Sequence, residues 1–195
     1  MKELLQSLPV YIALLAALLN LVRRQWTLNL LALLVQFVCV FPVLLRVLPL
    51  QLALIHPFTG LMVTLILYLT LLSVGGIKAI NLRVPLSSGE IFRALTGIFL
   101  IATLRVFIPQ LQQSVFPTVP GAHLFFSLGL ILIGLVQMGT IREPFYLAIG
   151  LLTFLSGFEM LYSALEFSYL LEALLVAVNL LLAIVGAFFI VKNTE

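Results

Sequence analysis

The chain has 195 residues, 63% of them apolar and only 9% charged, with a formal net charge of +3. So little polar surface excludes a water-facing shell, and basic residues this scattered exclude a nucleic-acid patch. The apolar residues come in runs of about twenty, the length that spans a bilayer as a helix. Leu-rich runs do not alternate as the strands of a membrane barrel must. The expected fold is therefore all-α: a polytopic transmembrane helical bundle forming one integral membrane domain over residues 1–195, embedded in the lipid bilayer.

Seven spans are predicted, in order Leu4–Val22, Trp26–Leu48, Pro57–Lys78, Gly89–Pro109, Gly121–Met138, Pro144–Leu165 and Ser168–Val191. The first follows Lys2, as a signal peptide would, but its run is long and Arg23-Arg24 is no small-residue cleavage site, so it reads as a mature helix. Pro9 and Pro42 lie inside spans and should kink them. Cys39, the single cysteine, falls in the second span and should pack as a small apolar residue. Gly75-Gly76 hints at a break near the end of the third. Pro109, Pro117 and Pro120 crowd the fourth connector, and Pro144 stands at a helix start, where its missing N–H costs nothing. Gly150 and Gly157 share a face of the sixth span, with Ser156 and Ser163 close by, which suggests a close helix contact.

Seven crossings place successive connectors on alternate sides. Arg23, Arg24, Lys78, Arg83, Arg93, Arg142 and Lys192 then collect on one side, with Lys2, Arg46 and Arg105 on the other. The positive-inside rule makes the first set cytoplasmic, with the N-terminus out and the C-terminus in. The expected location is the bacterial inner (plasma) membrane.

All seven acids are glutamates. Glu3, Glu90, Glu143 and Glu195 fall at ends or connectors and read as solvated charges. Glu159 lies well inside the sixth span, where an acid costs about 2.5–3.5 kcal/mol on insertion scales and tends to be paired, protonated or functional. The topology gives it company: Glu166 in the next connector, Glu172 one turn into the seventh span, Arg105 near the end of the fourth, and Arg46 at the edge. Burial works against the charged form of a carboxylate and a neighbouring arginine works for it. An acid held between the two can exchange a proton; a fixed Arg–Glu pair that merely orders the bundle is the structural alternative. Asn179 shares a helix face with Glu172. With Gln36 it either makes interhelical hydrogen bonds or extends a polar path from the glutamates. His56 and His123, each bordering a span, read as interface anchors. Tyr68, Tyr162, Tyr169 and Trp26 read as interfacial or packing residues. Lys192 sits too far out for a buried Schiff base. No phosphate loop, zinc-binding helix, nucleophile elbow or dinucleotide fingerprint is present. No metal, cofactor or independent catalytic activity is expected.

Ile133-Gly134-Leu135-Val136, followed by Arg142-Glu143-Pro144-Phe145-Tyr146-Leu147-Ala148-Ile149-Gly150-Leu151, resembles the small three-helix K-type membrane subunit of respiratory complex I. It is similar also to component E of membrane-bound hydrogenases and to subunits of multi-subunit cation/proton antiporters. In that family an apolar helix ends in a basic turn and the next carries an Ile-Gly-Leu-Glu signature. The resemblance implies a three-helix unit over residues 120–195, preceded by a four-helix part over 1–111 like that of the hydrogenase component, with Lys78 near the end of its third span. It also implies a subunit of an ion-translocating redox or antiporter-type complex, with no cofactor of its own and larger membrane subunits as partners. The family's first membrane glutamate falls at Leu152 here, and Glu159 lies two turns along nearly the same face. A stand-alone transporter and a non-transporting assembly protein are the alternative readings.

Overall fold

A computed structural model describes residues 2–77, 80, 87–166 and 168–193, with side chains from residue 8 onward. Lys78, Arg83 and Glu195 lie outside the described residues, as do the side chains of Lys2 and Glu3. The described chain is helical throughout: α1 (Lys2–Val22), α2 (Trp26–Leu44), α3 (Leu50–Ala53), α4 (Ile55–Ser73), α5 (Ser88–Ser114), α6 (Gly121–Thr140), α7 (Pro144–Leu165) and α8 (Tyr169–Lys192). Six stretches are long and apolar enough to cross a membrane, α3 and α4 together making one of them (Leu50–Ser73). With Leu8–Val22 of α1 also apolar, this is an integral membrane protein built as a helical bundle.

Local chemistry sets most of the boundaries. Ser87 caps α5 through a capping box: its hydroxyl accepts from the Glu90 amide at 3.3 Å, and the Glu90 carboxylate accepts from the Ser87 amide at 2.8 Å. Glu90 is therefore a buried capping acid rather than a solvated connector charge. Pro144 occupies the first turn of α7, as expected. Pro109 does not end α5, which runs on to Ser114, because a membrane helix can re-satisfy the carbonyl that proline leaves free.

The third span departs most from expectation. It starts after Pro49, and Pro57 falls in the first turn of α4, where a proline costs no hydrogen bond. It ends early too. Gly75 adopts φ +68°, its amide bonds Leu72 O, and the Gly76 amide bonds Leu71 O. This is a Schellman cap, and the left-handed residue it needs is available without strain only to glycine. Gly75-Gly76 is thus the end of a helix, not a break inside one, and His56 moves from the border of the span into its body.

The helices pack in two layers. In one, α4, α2 and α1 lie side by side; in the other, α8, α7 and α6. Across the layers α4 meets α8, α2 meets α7, and α1 meets α6, while α5 closes one edge against α1 and α6. Glycines bring α6 and α7 together: a Cβ on Gly134 would lie 2.7 Å from the Gly150 carbonyl oxygen, and one on Gly157 would lie 2.7 Å from the Ile131 amide nitrogen. The expected close contact at Gly150 and Gly157 is real, and backbone approach of this kind is how membrane helices associate when lipid removes the hydrophobic drive.

One end of the bundle carries Arg23, Arg24, Arg93 and Arg142. There Arg93 of α5 donates to the Val22 carbonyl (3.1 Å), and Asn29 of α2 donates to the Asn20 and Arg23 carbonyls (both 3.0 Å). Both satisfy carbonyls that the end of α1 leaves free, and Arg93 also sets a positive charge at the negative end of its dipole.

Candidate functional site

At the opposite end, three helices bring ionisable side chains together in the interior. Glu159, near the end of α7, is 2% exposed; Glu172, in the first turn of α8, is 5% exposed; His56, in the first turn of α4, is 1% exposed. His56 Nδ1 lies 2.6 Å from Glu159 Oε1. The Glu172 carboxyl lies beside Glu159. The His56 ring leans on Phe37, with centroids 4.9 Å apart. Phe37 fits there because Gly60, one turn along α4, has no side chain: a Cβ at Gly60 would come within 2.4 Å of the phenylalanine. Gly60 admits Phe37, Phe37 backs His56, and His56 faces Glu159.

The contact joins α4 to α7 through one ring nitrogen of His56 and one carboxylate oxygen of Glu159. His56 Nε2 has no partner among the described residues, and neither does Glu172 Oε1. Polar atoms left without a protein partner in an apolar interior are costly.

A second polar layer lies deeper. Thr153 Oγ1 of α7 donates to Gln36 Oε1 of α2 at 3.3 Å, with both residues fully buried. Asn179 of α8 is also fully buried, and both its side-chain polar atoms lack a partner. Glu172 meets Glu159, and Gly186 packs on Ala148. Asn179 is midway between Glu172 and Gly186, so the antiparallel register of α7 and α8 sets it level with Thr153. Ser156, one turn from both Thr153 and Glu159, is buried with its hydroxyl unpartnered. Beyond this layer, toward the basic end, Leu33, Leu67, Leu71, Ile149 and Leu152 fill the interior. The core between α2, α4, α7 and α8 is thus polar in one half and apolar in the other.

The expected residues divide accordingly. Glu159 and Glu172 come together, and Gln36 and Asn179 line the interior behind them. Glu166 does not join: it is exposed and accepts a hydrogen bond from its own neighbour Tyr162 (3.2 Å). Arg105 does not join either. It lies on α5, beyond α6 from the cluster, exposed and 5.5 Å from the Phe125 ring centroid. Arg46 is likewise exposed.

The side chain facing Glu159 is that of His56 instead, and His56 is no interface anchor. His123 is buried too: its Nε2 donates to the Met160 carbonyl, next in the chain to Glu159, and so ties the start of α6 to the end of α7. Cys39 packs partly buried on apolar neighbours and is a free thiol. Among the described residues no group of three or more His, Cys, Asp or Glu side chains could hold a metal ion.

No protein-family model, curated protein or solved structure matches this chain.

Proposed function

We propose that this protein is a membrane subunit of an ion- or proton-translocating complex of redox or antiporter type, in the inner membrane of a bacterium, and that His56, Glu159 and Glu172 hold the proton it exchanges. The observation that carries the reading is the 2.6 Å contact between His56 and Glu159, with Glu172 beside it, all three buried inside a membrane bundle. Ionisable residues inside membrane helices are costly and mark ion or proton paths. Ser156, Thr153, Gln36 and Asn179 continue the polar side of the path behind the cluster. Membership of a complex rests on the resemblance of residues 133–151 to the K-type subunit. There the family's glutamate position is Leu152, buried among apolar residues, and the proton-carrying role passes to Glu159.

The test is Glu159→Gln, which keeps the size of the side chain and most of its hydrogen bonding. Mild extraction of the tagged protein from its native membrane should bring redox or antiporter-like subunits with it. Vesicles holding the variant at normal abundance should lose coupled proton movement. Normal proton movement with a normally assembled variant rejects the reading.

The cluster also joins α4, α7 and α8, which favours an assembly protein as a second reading. In that case the substitution lowers the amount of assembled protein and leaves transport per assembled molecule unchanged.

A further inference from the structure

Away from the glutamates, at the basic end, α7 and α8 part to leave a groove of about 330 Å³. Pro144, Leu147 and Leu151 form one wall, and Leu182, Val185 and Phe189 the other. No polar side chain interrupts it. On α8 the lining positions Val185 and Phe189 continue along the same face to Lys192, since residues three and four apart lie one above the other on a helix. On the other side, Arg142 precedes the lining residue Pro144 by two positions in the chain. Arg142 and Lys192 are exposed, and neither is paired with an acid among the described residues. Glu143, next in the chain to Arg142, is engaged by Arg24 at 3.6 Å.

An apolar slot flanked along the chain by two cations that meet no acid among the described residues matches one kind of molecule. We propose that the groove between α7 and α8 is a binding site for an anionic phospholipid, its acyl chain lying between Leu151 and Val185 and its phosphate held by Arg142 and Lys192. Basic residues near the surface attract anionic headgroups, and basic pockets between membrane helices hold them specifically. A zwitterionic lipid would fill the slot equally well but would gain little from the two cations.

The protein carries its own reporter. Trp26, the single tryptophan, lines a small cavity of about 100 Å³ with Glu143, Pro144, Phe145 and Ile190, and this cavity meets the groove at Pro144. The full chain is reconstituted in phosphatidylcholine vesicles containing a stepwise increased minor fraction of either phosphatidylglycerol or phosphatidylcholine brominated near the headgroup end of the chain. Bromine quenches tryptophan on contact. Brominated phosphatidylglycerol should quench Trp26 at a lower mole fraction than brominated phosphatidylcholine, by about fivefold for each of the two cations. The double substitution Arg142→Gln, Lys192→Gln should abolish the preference. Val185→Phe, which fills the slot from an exposed position, should abolish it as well.

Equal quenching by the two lipids, as expected if a partner's helix covers the groove, overturns the proposal. So does a preference that survives either variant. Unchanged thermal unfolding of both variants ensures that a lost preference reports lipid binding and not misfolding.

Discussion

His56 shows what a single side chain can do to a membrane interior. Its contact gives the buried Glu159 carboxylate a partner on α4. Removing one member of a buried pair costs about 3–5 kcal/mol, because the other charge is stranded. His56→Ala should therefore lower the thermal midpoint in detergent sharply. His56→Gln, which can still donate to Glu159, should recover much of the loss while lacking the titratable ring. If both variants unfold like the unsubstituted protein, the contact contributes nothing to stability. The importance of Glu159 is legible in the sequence, because an acid so far inside an apolar run is out of reach of bulk water and needs a partner or a proton. Its partner is not. His56 precedes Pro57, and a proline beside a histidine reads as the border of a span; only the start of the helix at Pro49 carries the histidine inward. Arg105 is the converse case. Depth along the chain sets it level with Glu159, but depth says nothing about which helices are neighbours, and α5 lies on the far side of α6.

The helices themselves are the most legible part of the molecule. Trp26, Gly121 and Pro144 begin elements where composition and breakers place them, and the lengths follow from the thickness that each must cross. Ends are less legible where a cap rather than hydropathy decides them, as at Gly75. Pairing shows only at glycines. The contact between α6 and α7 leaves no room at Gly134 or Gly157, since the nearest atoms are backbone and cannot rotate away. Gly157→Ala should cost about 1–3 kcal/mol through overpacking, read as a lower thermal midpoint. Gly89→Ala, where an added Cβ meets nothing, should leave that midpoint unchanged or raise it slightly, since glycine in a helix is itself unfavourable. Equal effects at the two positions would show that helix propensity, not the interface, sets the response. Capping is separable in the same way: Ser87→Ala removes one half of the capping box and should cost about 1 kcal/mol.

Taken as one object, the molecule has a polar interior at one end and positive charge at the other. The two ends are linked by topology. The helices α2, α5 and α7 run from the basic end toward the glutamates, and α4, α6 and α8 run back, so Lys192 returns to the level of Arg142. If α1 also crosses, the two termini lie on opposite faces of the membrane. At 1.5 Å per residue, its 21 residues span about 31 Å, enough for the hydrocarbon core. The positive-inside rule then directs Arg23, Arg24, Arg93, Arg142 and Lys192 to the cytoplasm, and the glutamate cluster opens toward the outer face. In a Cys39→Ala background, Asn193→Cys should react with a membrane-impermeant thiol reagent only in inverted vesicles. A tag ahead of Lys2 should be cleaved by added protease only in right-side-out vesicles. Both ends reacting in the same preparation would mean that α1 lies along the surface and the bundle crosses six times. Reaction of Asn193→Cys from the outer face would invert the assignment and turn the glutamates toward the cytoplasm. The face toward which the cluster opens is therefore fixed by the same two labelling reactions that count the helices.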